Sequence, residues 1–170
     1  MTQALPTTLS ASRLVVRVLI FLNLLGGAAV LALLVASPIS HGWVKKVFGL
    51  SDDGTATQVL VLLGAVGLGS VLFNHILLTR LLGIIETVRL GDPFVAANAA
   101  RLRVTAWAIL GLEVLYFIAG TVAGRLVPNV DMERDWGLSV SRWLAVLLLF
   151  VLAQVFEDGA RMRDDLSGTV

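Results

Sequence analysis

Five polar side chains lie inside long apolar segments of the sequence, and they are the residues best placed for chemistry. They are Asn23, Asn74, His75, Glu113 and Gln154. Polar residues within a membrane are energetically costly and often carry a function. Glu113 is the most demanding, because an ionised carboxylate in an apolar medium needs a partner or a proton. This intramembrane polar layer predicts either a hydrogen-bonded clamp between helices or a site around Glu113 and His75 that responds to protons or a ligand.

Motifs of soluble catalysis are missing from the sequence. The chain has no cysteine, and its two histidines, His41 and His75, belong to different segments, so neither thiol catalysis nor a metal site is expected. The glycines of residues 64–69 lie inside an apolar run, where a phosphate-binding loop does not form. We therefore expect no enzymatic activity and no cofactor.

The composition is that of a membrane protein. Of the 170 residues, 57% are hydrophobic and only 15% are charged, whereas soluble domains carry about 25% charged residues. The net charge of +1 provides no electrostatic basis for direct nucleic-acid binding. The first predicted partner is thus the lipid bilayer.

Four apolar segments are long enough to cross a bilayer, which takes about 20 helical residues. They cover residues 14–36, 57–79, 104–124 and 138–156. We expect helices, because a backbone that faces lipid must satisfy its hydrogen bonds within the segment. The first apolar run is too long for a typical signal peptide, so a retained helix is expected. Val35-Ala36-Ser37 resembles a signal-peptidase site, so removal of this segment is the alternative. The sequence predicts an all-α polytopic membrane protein: a single domain over residues 1–170, with four transmembrane helices in a bundle and cytoplasmic helical extensions.

Positive charges divide unevenly between the two sides of these spans. Eight of the 13 lysines and arginines belong to the N-terminus, the middle loop and the C-terminal tail. Because positive residues accumulate on the cytoplasmic side, both termini and the middle loop are predicted to be cytoplasmic.

The second apolar pattern continues past the expected edge of the bilayer. Residues 81–88 keep apolar side chains at helical spacing, and Gly91 suits the end of that helix. Asp92 is predicted to cap the next helix, which begins at Pro93. Residues 80–103 are therefore predicted to form a cytoplasmic helical hairpin, and residues 157–170 a charged cytoplasmic tail. The apolar seam of the hairpin either packs against itself and the tail or forms a docking surface.

Two pairs of small residues allow helices to approach closely. Ala65 and Gly69 form one pair, and Gly120 and Gly124 form the other. Such pairs occur both in contacts within one chain and in contacts between copies. They therefore leave open whether the protein forms a homo-oligomer.

Two stretches of the chain resemble a family of small bacterial membrane proteins with four membrane helices, catalogued as domain of unknown function 2975. In the middle loop they are Gly91-Asp92-Pro93-Phe94, Asn98, Ala99, Arg101, Leu102 and Arg103. At the end they are Val155-Phe156, Gly159-Ala160, Arg161, Arg163, Asp165-Leu166 and Gly168-Thr169-Val170. The resemblance covers residues 75–170. The chain departs from the family pattern at Gln154, Glu157 and Ser167, where acidic, basic and acidic residues are common.

The resemblance implies association with a partner, and no active site. Members are often encoded beside a small helix-turn-helix regulator, so we expect a non-enzymatic, regulatory protein of the bacterial inner membrane that binds such a regulator. The candidate contact residues are Arg89, Asp92, Phe94, Asn98, Arg101, Phe156, Arg161 and Arg163. The alternatives are a proton- or small-molecule-responsive module or minor transport component around Glu113, and a purely structural protein.

Overall fold

The chain folds into four long helices in the computed structural model, which describes residues 5–36, 42–43, 45–47, 49, 53–126 and 140–167. The helices are α1 (Leu5–Val35), α2 (Asp53–Arg89), α3 (Ala96–Leu126) and α4 (Val140–Ser167). The described residues contain no strand. All four helices are long and apolar enough to cross a membrane. The predicted all-α, multi-pass membrane protein is confirmed.

The positions of the four prolines explain why the helices are uninterrupted. Pro6 stands in the first turn of α1, where its missing N–H costs no hydrogen bond. Pro38, Pro93 and Pro128 all fall between helices in the sequence. With no proline in a helix interior, α2 reaches 37 residues, or roughly 55 Å against a hydrocarbon thickness of about 30 Å. The extension beyond the predicted spans follows from this continuity.

The chain divides into two compact units. The first unit contains residues 5–22, 74–110 and 140–167 among those described, and the second unit contains residues 23–36, 53–73 and 111–126. The single domain predicted over residues 1–170 stays a prediction. The predicted start of the fourth span at residues 138–139, and the closing Gly168-Thr169-Val170, lie outside the described residues.

Glycines set the close approach of helices in the second unit. A Cβ atom on Gly64 would lie 2.6 Å from Leu34 of α1, and one on Gly69 would lie 2.8 Å from Leu115 of α3. A methyl group at either position would require the facing leucine side chain to shift. Gly69 is thus used in packing within the chain, whereas Ala65 is exposed.

Candidate functional site

The hairpin between α2 and α3 begins at a glycine that ends α2. Gly91 has a φ angle of 81°, which a residue with a side chain rarely adopts. Its N–H donates to the carbonyl oxygen of Val88 at 3.1 Å, and the N–H of Asp92 donates to that of Thr87 at 3.0 Å. These two bonds form a Schellman cap, which satisfies the last carbonyl groups of a helix. The helix end predicted at Gly91 is confirmed.

Residues 92–95 stay outside the helices, and α3 begins at Ala96, three residues later than the sequence predicted. Two contacts with α4 account for the difference. Asp92 forms an ion pair with Arg163. Phe94 packs on Phe156, with ring centroids 5.2 Å apart. Asp92 therefore attaches the hairpin to α4 and does not cap α3 as predicted.

Gly159 makes room for the Phe94 ring on α4. A Cβ atom at Gly159 would lie 3.0 Å from Cδ1 of Phe94, which is closer than carbon atoms normally pack. The aromatic contact therefore needs residues of both motifs: a phenylalanine in the hairpin, and a phenylalanine and a glycine one turn apart on α4.

Asn98 is the buried centre of the hairpin, with a relative exposure of 0%. Its Nδ2 donates to Oγ1 of Thr87 at 2.7 Å and to the carbonyl oxygen of Pro93 at 2.8 Å. Its Oδ1 accepts a hydrogen bond from Nη1 of Arg101 at 2.7 Å. This amide ties α2, the connecting residues and α3 together.

Arg101 crosses from α3 to the backbone of α2. Its Nη1 also donates to the carbonyl oxygen of Gly83 at 3.2 Å. A Cβ atom at Gly83 would stand 2.8 Å from Nε of Arg101. Gly83 thus lets the guanidinium group reach the α2 backbone, and the Arg101 side chain acts within the hairpin.

Two further carboxylates, those of Glu157 and Glu86, form ion pairs with arginines of the first unit. Glu157 accepts hydrogen bonds from Arg103 and from Arg161, both at 2.7 Å. Glu86 lies 2.9 Å from Arg89, and its Oε2 is 3.6 Å from Nε of Arg13. Sequence reasoning noted Glu157 only as a departure from the family pattern. Its position, one helical turn before Arg161, is the signal that could have found the second pair.

All eight candidate contact residues belong to the first unit, but they differ in access. Asn98 is buried, and Arg101 and Phe156 are partly buried. Arg89, Arg161 and Arg163 are exposed and pair with acidic groups of the same chain. Outside the predicted spans, the exposed apolar side chains of this unit include Leu90 at 73%, Met162 at 62% and Phe94 at 46% exposure.

The exposed residues Leu90 and Met162 were missed by sequence reasoning. Met162 lies between the two motif arginines on α4, and Leu90 directly precedes Gly91. We name Leu90, Phe94 and Met162 the apolar tip residues.

The predicted intramembrane polar layer is divided between the two units. Asn23 and Glu113 belong to the second unit, whereas Asn74, His75 and Gln154 belong to the first. Asn23 donates to the carbonyl oxygen of Val71 at 3.0 Å, and Glu113 is only 4% exposed. Nδ1 of His75 is buried without a hydrogen-bond partner in the described part of the chain. Gln154 is exposed and donates to Asp158 on its own helix. A proton- or ligand-responsive role for this layer stays a prediction.

Chemically, the first unit offers fixed charges and apolar surface. In the described ranges no three histidine, aspartate or glutamate side chains form a group that could hold a metal ion. Arginines held by carboxylates and exposed apolar side chains suit recognition of another macromolecule.

Comparison with known proteins places the two motif segments in one family. Residues 46–170 match the model of a family described as "Protein of unknown function (DUF2975)". The match covers well over half of the chain and begins before residue 75, where the resemblance described above begins. No curated protein and no solved structure matches the chain.

Proposed function

The chain belongs to the DUF2975 family, and from this premise we propose that it is a non-enzymatic regulatory protein that binds a small helix-turn-helix regulator. The binding surface in this proposal comprises the exposed parts of the hairpin and of the C-terminal end of α4. The protein lies in the bacterial cytoplasmic membrane, with both termini on the cytoplasmic side.

Charge distribution supports this orientation. Eight of the nine arginines in the first unit belong to the N-terminus, the hairpin and the C-terminal segment, and the ninth, Arg142, is near the start of α4. The eight are Arg13, Arg17, Arg80, Arg89, Arg101, Arg103, Arg161 and Arg163. Arginine and lysine accumulate on the cytoplasmic side of membrane proteins. A regulator that binds DNA would meet the protein on that side.

The observation that carries the proposal is the contact between the two segments that resemble the family, one in the hairpin and one on α4, which are far apart in the sequence. The ion pair of Asp92 with Arg163 and the tilted ring contact of Phe94 with Phe156 fix the hairpin against α4. A preorganised surface loses less conformational entropy when a partner binds. With the inner polar groups satisfied within the chain, the apolar tip residues are left for contact with the partner.

The reading frame next to this gene should encode a helix-turn-helix protein, and that protein is the probe for co-purification. The full chain, in mild detergent, is expected to retain that protein. The double variant Leu90→Ser, Met162→Ser should weaken binding about tenfold, which corresponds to about 1.4 kcal/mol. Both side chains are exposed, so these changes preserve the fold.

Val140→Ser is the matched control, because Val140 is 84% exposed and begins α4 at the opposite end of that helix. This control should bind as the unaltered chain does. Failure of the unaltered chain to hold the regulator would overturn the proposed function. Equal binding by the double variant would overturn the proposed surface.

A further inference from the structure

An open apolar groove lies in the second unit, between the start of α2 and the end of α3. Its volume is about 380 Å³, within the lower range for pockets that bind small molecules. Val61, Leu62 and Ala65 line it from α2, and Val122 and Leu126 line it from α3. The groove is therefore large enough for an extended apolar group.

Packing beneath the groove fixes its shape. Leu126 contacts the buried cluster of Ala56, Val59 and Leu60, and this contact anchors the end of α3 to the start of α2. Ala65 is small and exposed on the α2 side. A wide space stays open there because the side chain at this position is a single methyl group. The groove is thus part of the folded unit, formed before any ligand binds.

The surroundings of the groove determine what can occupy it. Both helices are candidate membrane spans, Gly54–Arg89 and Ala96–Leu126. The exposed lining of the groove is almost entirely apolar, so it offers water few hydrogen-bond partners. In a bilayer, the molecules that meet an open apolar groove are lipids, whose acyl chains are as apolar as its lining.

A positively charged residue lies in the last turn of α3, next to residues that line the groove. Arg125 is exposed and occupies the last turn of α3, directly before the lining residue Leu126. A guanidinium group binds phosphate oxygens with paired donors. Basic side chains at the membrane edge bind lipid headgroups in this manner. Thr57 and Gln58, in the first turns of α2, add polar side chains to the lining.

We propose that this groove binds one acyl chain of a phospholipid, whose phosphate group is held by Arg125. The inference is independent of the regulator proposed above, because it concerns the second unit and needs no protein partner. It assigns a lipid-binding site to the span helices α2 and α3.

Lipid retention and thermal unfolding test the proposal. The full chain is purified in mild detergent and washed, and bound phospholipid is measured by native mass spectrometry. Phosphatidylglycerol or monoolein, which has an acyl chain and no phosphate, is then added back while unfolding is followed. The variants are Ala65→Phe, which fills the groove, and Arg125→Gln, which removes the positive charge. Ala145→Phe is the control, because Ala145 is exposed on α4 and does not line the groove.

The unaltered chain and Ala145→Phe should retain phospholipid, and phosphatidylglycerol should raise their melting temperatures more than monoolein does. Ala65→Phe should retain about tenfold less phospholipid. Arg125→Gln should respond equally to the two lipids. Equal retention by Ala65→Phe and Ala145→Phe would overturn the groove as the site. Equal stabilisation of the unaltered chain by both lipids would overturn the role of the phosphate, and this outcome does not require Ala65→Phe to fold.

Discussion

Asn98 shows how a polar residue near the edge of the membrane acts through its own chain. Both polar atoms of its amide are used, by Thr87, Pro93 and Arg101. A buried amide that is fully bonded specifies one arrangement of its neighbours, because each alternative leaves a donor or an acceptor unsatisfied. The sequence predicted Asn98 as a contact for a partner, and its burial makes a positioning role the better interpretation.

Asn98→Ala should lower the free energy of unfolding by about 2–3 kcal/mol, because buried groups lose their partners and one of these groups is charged. Denaturation in detergent, followed by circular dichroism, measures the effect. Gln154→Ala is the control: Gln154 is exposed and bonds only to Asp158 among the contacts shown. Its change should stay within about 0.5 kcal/mol. Equal losses in both variants would contradict the role of Asn98.

The structural role of Glu157 depends on the two arginines beside it. It bridges Arg103 of α3 and Arg161 of its own helix. Exposed ion pairs contribute little stability individually, about 0–1 kcal/mol each. The bridge therefore serves mainly to orient the end of α4 beside the hairpin.

At the scale of elements, small residues decide which helix faces pack within the chain. Gly111 of α3 meets the Phe73 ring of α2, where a Cβ atom would lie 2.5 Å from Cε1 of the ring. Gly124, on the same helix, has no described atom within 4 Å of such a Cβ position. Two glycines of one helix thus have different consequences, because only one of them lies in a contact between helices.

Of the variants Gly111→Ala and Gly124→Ala, only the first should lower the stability of the protein. Gly111→Ala should destabilise by about 1–3 kcal/mol, since a well-packed contact cannot accept a methyl group without strain. Gly124→Ala should be neutral or stabilise by up to about 1 kcal/mol, because alanine is the better helix former. Thermal unfolding of the two variants side by side measures both effects. A stabilised Gly111→Ala variant would show that α2 and α3 do not pack as described.

At the scale of the whole molecule, the length of the helices and the distribution of charge govern the relation to the membrane. In the most apolar stretch of α3, 33% of the residues are buried within the protein, whereas in that of α1 only 6% are buried. The exposed apolar side chains of α1 therefore face lipid over most of the helix. The placement of arginines then selects the orientation, because moving them across the bilayer is unfavourable.

Single cysteines can report the predicted orientation, because the chain has none of its own. Ala97→Cys and Gly54→Cys place thiols at exposed positions of the hairpin and of the start of α2. With the hairpin in the cytoplasm, a membrane-impermeant maleimide should label Gly54→Cys in intact cells and Ala97→Cys only after lysis. The reverse pattern would invert the orientation, and the hairpin could not then meet a cytoplasmic regulator.

Much of the fold was predictable from local patterns. Apolar runs identified the four helices, and Gly91 marked the end of α2 because a left-handed conformation there needs glycine. The start of α3 was not predictable from the local sequence, because Pro93 suits the first turn of a helix. The contacts of Asp92 and Phe94 with α4, which the local sequence does not reveal, keep these residues outside the helix. The roles of Asp92 and Glu157 depend on Arg163 and Arg103, which are 71 and 54 residues away in the chain.

The sequence by itself determined that this is a four-helix membrane protein. Hydropathy depends only on residues that are neighbours in the sequence. An apolar run of about 20 residues is long enough to cross the bilayer, where its backbone must satisfy its hydrogen bonds as a helix. Only the tertiary structure decided what the polar residues do: Asn98 and Arg101 turn inward, and Leu90 and Met162 remain exposed. These assignments, and the groove between α2 and α3, come from contacts between distant segments, and packing determines such contacts through shape and not through composition.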